Sequence, residues 1–343
     1  MGIAWNEISE KSNGGTELIA RRLEQSMQRL IPETFDKFQI IPSRVRDLAK
    51  DKYRVLWVHD LPDDPESKHL ANSGWNKFHR IVFVSYWQRQ AYMMRYGIPY
   101  FKTAVIRNAV PYKFTGQYFG DTIAEKYMAS NTNTISLAYT STPQRGLDVL
   151  VKAFKKLYEE YPNRLHLNVY SSFQIYGWDD RTQDKLIFDE IKAHPGMTYH
   201  GVIPNDELRN ALSYTHIFSY PSTWPETSCM ALMEAMQAGC ICVHSDLAAL
   251  PETSAKMTCM YPYTEGFNEH VDAFYMALKN VVSNFADISV DDIVKTASHA
   301  ITHYEWARAE KEWIQLLNNV IDTETIEAPA RFPQNPGQFV YKT

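Results

Sequence analysis

The chain has 343 residues, 45% hydrophobic and 13% aromatic, which is enough for two domains that each bury a core. Its net charge of −5 lacks the basic balance of a general polyanion binder, so no nucleic-acid partner is expected. No apolar run approaches the ~20 residues that span a bilayer, and no signal-peptide pattern follows Met1, so a soluble, cytoplasmic protein is expected.

Short apolar runs alternate with helix-period segments, a pattern of α/β domains with parallel sheets. The first strands are predicted at 2–5, 38–41, 54–58, 81–84 and 104–106. Between some of them, 17–30 and 86–96 carry apolar residues at helical spacing. Arg21, Arg22 and Arg29 on the first helix are offset by Glu17 and Glu24, so membrane association is expected to be at most weak and peripheral. Gly116, Gly120 and the polar run 130–134 interrupt the pattern and predict a domain boundary over 111–133, with an N-terminal Rossmann-like domain at 1–112.

A second series follows: strands at 135–139, 164–170, 197–201, 217–220 and 241–244, with helices at 146–161, 181–193, 205–214 and 271–285. It predicts a second Rossmann-like domain over 113–305. The period continues as one helical segment over 290–321, whose part near 306–322 is expected to pack back on the first domain. Pro329, Pro333 and Pro336 predict an irregular tail over 323–343. The four cysteines, Cys229, Cys240, Cys242 and Cys259, lie in one half, mostly in or beside apolar runs, and are expected to be buried thiols; no His cluster supports zinc.

The stretch WPETSCMALMEAMQAG at 224–239 holds Glu226 and Glu234 and no other charge. Thr227 or Ser228 is a suitable N-cap and Gly239 a natural stop. The loop before the helix follows the strand ending at Tyr220, at the carboxyl edge where open α/β sheets bind ligands. Backbone N–H groups over Ser228, Cys229, Met230 and Ala231 would favour a phosphate. At ~1.5 Å per residue, Glu234 lies roughly 12 Å beyond Glu226. That spacing fits a nucleotide sugar, with Glu226 on sugar hydroxyls and Glu234 on the ribose; a helix-end charge and a solvated glutamate remain the plain alternative.

With its context, SYPSTWPE before, EAMQAG at the helix end, then CICV and SDLAALPE, the stretch resembles the retaining glycosyltransferases of family 4. That family has the GT-B fold and a Glu, seven residues, Glu signature. The resemblance extends more weakly over 14–320. It implies two Rossmann-like domains facing across a cleft, a nucleotide sugar donor bound by the second and a hydroxyl acceptor met by the first.

Further segments fit the resemblance. Asn13-Gly14-Gly15-Thr16-Glu17 opens a helix where the family has a Gly-Gly loop over the donor diphosphate, with Thr16 on the acceptor side. In TSTPQRGLDVLVKAF, over 140–154, Arg145 stands where the family's diphosphate-binding Lys is usual, and Thr140 replaces the usual Arg. His59 and Asp60 follow a strand end, a place the family uses near the sugar or acceptor, and Ser85 and Trp87 hold another acceptor position. Tyr199-His200-Gly201-Val202 resembles the strand end that meets the base, so Val202 is a donor contact by resemblance. VIRNAVPY at 105–112 resembles the hinge, with Arg107 and Ala109 for the usual Pro and Gly. Asp60, Asp63, Asp64 and Glu66 are expected to form a solvated loop rather than a metal site.

The expectation is a glycosyltransferase moving a hexose or similar sugar from a UDP- or GDP-sugar to a glycan, lipid or small-molecule hydroxyl, without cofactor or metal. Glu226, His59 and Arg145 are its candidate catalytic groups, and retention follows from the resemblance alone. Alternatives are a nucleotide-sugar epimerase of GT-B fold and a silent sugar-nucleotide-binding module. No Gly-x-Gly-x-x-Gly follows a strand, which argues against a dinucleotide oxidoreductase.

Overall fold

A computed structural model describes residues 2–5, 14–111, 119–129 and 134–326. Asn13, the parts 112–118 and 130–133 of the expected boundary, and 327–343 of the expected tail lie outside the described residues.

Five parallel strands form the first sheet: β1 (Gly2–Ile3), β2 (Phe38–Pro42), β3 (Tyr53–Val58), β4 (Arg80–Phe83) and β5 (Thr103–Val105). All of β2 and β3 is buried, Gln39 and Arg54 included, as strands of a sheet covered on both faces must be. Helix α1 (Gly15–Leu30) lays Ile19, Leu23 and Met27, one per turn, against Ile40, Val55 and Val82. The single-turn α2 (Pro32–Phe35) buries Phe35 in the same cluster. Helix α3 (Tyr86–Tyr96) is capped by Ser85 Oγ, which accepts from Gln88 N, and ends at Gly97 with φ +63°.

Within the segment read as a boundary, 119–129 is a helix, α4 (Phe119–Ala129), that belongs to the second core. Its Ile123 and Tyr127 are buried there, and Lys126 Nζ donates to the carbonyls of Thr215 and Ala238, each at 2.9 Å. Gly120 lies in its first turn, which is why the glycine pattern hid it.

The second sheet has β6 (Ile135–Thr140), β7 (Leu165–Tyr170), β8 (Met197–Tyr199), β9 (Ile217–Tyr220), β10 (Ile241–Ser245) and β11 (Cys259–Tyr261), all parallel, in the order β11-β10-β9-β6-β7-β8. Around it lie α5 (Leu147–Glu160), α6 (Thr182–Ala193), α7 (Asn205–Ser213), α8 (Met230–Gln237), α9 (Leu250–Thr253) and α10 (Phe267–Ser283). The last begins four residues before its expected start. Cys229, Cys240 and Cys242 are buried thiols, whereas Cys259 is exposed.

The helical segment expected over 290–321 is two helices, α11 (Val290–Tyr304) and α12 (Trp306–Thr323), parted by extended Glu305. Glu305 bridges Val110, so the two connections between the sheets run side by side. Helix α12 lies against the first sheet's cluster through Trp313, Leu317 and Val320, with the Trp313 ring edge-on to Trp57 at 4.9 Å. Trp306 Nε1 donates to Ser26 Oγ at 2.8 Å, and Arg29 pairs with Glu310 at 3.1 Å.

Candidate active site

In the second sheet the winding reverses between β6 and β9: β7 and β8 follow on one side, β10 and β11 on the other. Connections leaving the carboxyl ends of such a pair diverge and open a crevice. Here the crevice is one wall of a cleft of about 870 Å³ between the two sheets. Thr140, Ser141, Thr142 and Arg145 line it after β6; Trp224 and Glu226–Ala231 line it after β9. Gly14–Leu18 and His59–Leu61 of the first sheet's connections form the opposite wall.

Glu226 is 5% exposed, and its Oε1 accepts hydrogen bonds from Arg145 Nη1 and, at 2.6 Å, Tyr220 Oη. Among the described residues its Oε2 has no hydrogen-bond partner. The Arg145 charge is opposed by burial, but Glu226, Tyr220 and Tyr176 outweigh that and raise its pKa further above the ordinary value. Arg145 Nε is buried and unpaired among the described residues, as are the hydroxyls of Thr140 and Thr142. Buried polar groups are normally satisfied, so unpaired donors around one permanent cation mark a place built for an anion.

The helix carrying Glu234 starts later than expected. Met230 is its first residue and Cys229 its N-cap, with no side-chain cap bond. Thr227 cannot cap because its hydroxyl donates to the His59 carbonyl, at 2.9 Å, across the cleft. The residues at the helix N-terminus still line the cleft, Ser228, Cys229, Met230 and Ala231 among them, and first-turn N–H groups have no partner within a helix. Glu234 lines the cleft too, but it is not a solitary acceptor: Arg209 Nη1 on α7 donates to its Oε1 at 3.3 Å. Burial raises the Glu234 pKa, against the pull of Arg209 and Arg22. Arg22 on α1 has a buried Nη1 without a partner among the described residues.

On the facing wall, Gly14 and Gly15 allow a close approach. A Cβ on Gly14 would lie 2.6 Å from the Tyr176 ring, and one on Gly15 would lie 3.3 Å from Met230 Sδ. Thr16, His59 and Asp60 also line the cleft. The His59 ring packs on Trp57 at 4.6 Å, and its Nε2 is buried without a partner among the described residues. Burial lowers its pKa to about 3, so the imidazole is neutral at pH 7. Asp60 Oδ2 is likewise buried and unpaired; burial, and then Asp64, raise its pKa.

Three expected contacts do not reach the cleft. Val202 is 40% exposed and outside the lining formed by the described residues, where His200 instead stacks on Tyr170. Ser85 and Trp87 are also outside it. The Ser85 hydroxyl is spent on capping α3, and the N–H groups of Tyr86 and Trp87 donate to Glu252, each at 3.0 Å. Glu252, in the connection after β10, also accepts from Arg107 at 3.2 Å, making an inter-sheet clasp that no sequence motif signalled. Trp224 and the loop residues Ile175, Tyr176 and Trp178 line the cleft and were also missed. Among the described residues, no group of three or more His, Cys, Asp or Glu is arranged to hold a metal. In the acidic loop Glu66 pairs with Arg46 at 2.8 Å, and Asp64 accepts from Glu66 N. No helix of the described residues is long and apolar enough to cross a membrane.

Residues 134–284 match the family described as Glycosyl transferases group 1. No curated protein matches the chain. Among solved structures, a glycosyltransferase from Rickettsia africae is similar at TM-score 0.62 and 13% identity, over 90% of this chain and 81% of that one. Sucrose-phosphate synthase from Thermosynechococcus elongatus is similar at TM-score 0.62 and 13% identity, over 90% and 79%. Anabaena HepE in complex with UDP and glucose is similar at TM-score 0.58 and 12% identity, over 90% and 84%. Two parallel sheets facing across one cleft, with the second carrying the group 1 glycosyl transferase match, give this chain the GT-B fold of the glycosyltransferases.

Proposed function

We propose that the protein transfers a hexose or similar sugar from a nucleoside diphosphate sugar, UDP- or GDP-linked, to a hydroxyl acceptor with retention of configuration. The observation that carries this is the pairing of buried Glu226 with Arg145 at the winding reversal, with Glu234 further along the same wall. The UDP held by similar structures supports the donor class.

In this reading the diphosphate lies against Arg145, the Thr140 and Thr142 hydroxyls and the first turn of α8. These groups stabilise the negative charge that grows as the bond from the anomeric carbon to phosphate oxygen breaks. The acceptor oxygen forms the new bond to that carbon on the same face, and its proton passes to a phosphate oxygen of the leaving nucleoside diphosphate. Glu226 orients the sugar through its second oxygen while Arg145 and Tyr220 hold the first. Neutral His59 and Asp60 position the acceptor. No metal takes part, because a guanidinium and a helix N-terminus meet the leaving group.

The test is incubation with UDP-, GDP-, ADP- and TDP-sugars, with and without a panel of glycan, lipid and small-molecule acceptors. Acceptor-dependent release of nucleoside diphosphate is expected. Interconversion of a nucleotide sugar without acceptor would reassign the protein as an epimerase; binding without release under any acceptor would make it a silent binding module.

A further inference from the structure

Resting on the donor reading above, we infer that the loop between β7 and α6 seats the donor's nucleobase, with the Trp178 indole as its stacking face. The order of strands limits where the ligand parts can lie. The carboxyl ends of β9, β6, β7 and β8 stand in that sequence across the sheet, one strand (about 4.8 Å) apart. Their connections present Glu226, then Arg145, then Ile175–Trp178, then Leu208 to the cleft. With sugar at Glu226 and diphosphate at Arg145, ribose and base are left to the β7 and β8 side of the cleft. Arg209, one residue past Leu208, holds Glu234, so the proposed ribose contact lies against α7, and the aromatic β7 loop is left for the base.

The loop has the chemistry of a base seat. Ile175, Tyr176, Trp178 and Leu208 supply apolar and aromatic lining next to a charged section. Tyr176 and Trp178 lie 5.4 Å apart at 45°, so they present an angled pair of rings. Trp178 is 63% exposed, although an indole gains most when covered. It is also held in place. Asp180 accepts from Ser172 Oγ at 2.8 and 2.9 Å and from Phe173 N at 2.7 Å. Phe173 is buried under the Arg181 guanidinium, and Gly177 takes φ +76° to turn the chain before Trp178. A stapled loop that offers an uncovered indole to a cleft is preorganised for a flat ligand. Tyr176 also explains Gly14, since any side chain there would strike its ring.

Calorimetric titration of wild type, Trp178→Ala and Trp178→Phe with UDP, GDP, ADP, TDP and inorganic pyrophosphate tests this. The nucleoside diphosphate that wild type binds best should bind Trp178→Ala about tenfold to a hundredfold more weakly, as loss of one base stack implies. Trp178→Phe should regain most of that, and pyrophosphate should bind all three alike. Unchanged nucleotide affinity in Trp178→Ala, a Phe variant as weak as the Ala variant, or equal weakening of pyrophosphate each overturns the assignment. Unchanged donor affinity with a raised acceptor KM moves the loop to the acceptor side and also overturns it. A wild type that binds none of the nucleotides removes the donor reading itself, and this inference with it.

Discussion

The two sheets are built from the same parts and wound differently. In the first, strand order follows chain order, so neighbouring connections have no point of divergence. In the second, the order reverses between β6 and β9, and Arg145, Glu226 and Glu234 gather around that reversal. The first sheet contributes a close backbone at Gly14 and Gly15, the buried polar atoms of His59 and Asp60, and Arg44. The difference teaches that winding decides where the buried Glu226–Arg145 pair can form, and the recognisable family match is confined to the sheet with the reversal.

Substitution at Glu226 should break the asymmetry most. Glu226→Gln keeps a hydrogen-bonding side chain beside Arg145 but loses the charge. Turnover should fall about 100-fold, on the order of 3 kcal/mol of transition-state stabilisation, with nucleoside diphosphate affinity nearly intact in calorimetry. Equal loss in both would place Glu226 on the nucleotide rather than the sugar.

The clasp between the sheets comes next. Glu252→Ala removes two backbone hydrogen bonds and the Arg107 pair, so unfolding free energy should drop by about 2 kcal/mol. Calorimetric melting should then resolve two transitions where wild type has one. Glu234→Ala should weaken nucleoside diphosphate binding and raise the donor KM about tenfold, with a smaller change in turnover. A matching fall in turnover would instead put Glu234 on the reacting sugar.

Burial lowers the pKa of many of the histidines, among them His59, after β3, and His244, in β10. His59 is lowered to about 3 and His244 to about 4, both by burial. An unfolded histidine titrates near its ordinary 6.5, so below that pH the unfolded chain binds protons that the folded one does not. Stability is therefore fully present above pH 6.5 and declines as pH falls toward 4. Each of these two should account for about 1 kcal/mol between pH 6.5 and 5.5. His59→Gln should flatten the slope by that amount in urea titrations, leaving the share of His244 and the other histidines that burial lowers. The smallest effect is expected from EDTA, which should leave turnover unchanged; loss restored by magnesium would make the acidic loop near Asp60 a metal site.

Much of the fold was legible because it rests on local signals. Ser85, the apolar period and Gly97 mark α3 at both ends, and the continuous apolar runs mark the buried parallel strands. The break at Glu305 was not legible, since it carries no Gly or Pro and arises from pairing with Val110. The start of α8 was misplaced because Thr227 is drawn away by the His59 carbonyl, a contact 168 residues distant in sequence. In the site, the charged groups could be read because the proposed ligand, a diphosphate, restricts residue type. The aromatic loop could not, because stacking restricts only the presence of a ring. Ser85 and Trp87 failed for a third reason: Glu252, from the other domain, had already claimed that helix end.

The return of α12 also bears on how the chain is made. A ribosome delivers residues in order, and the first sheet's cluster waits for Trp313, Leu317 and Val320 until the whole second domain has emerged. Among the described residues, the second domain's own core closes within residues 110–304. Domains often fold in the order of their synthesis. For the cluster under α12 the order should invert: the later domain's core can close first, while the earlier domain keeps an apolar face open until α12 arrives to cover it.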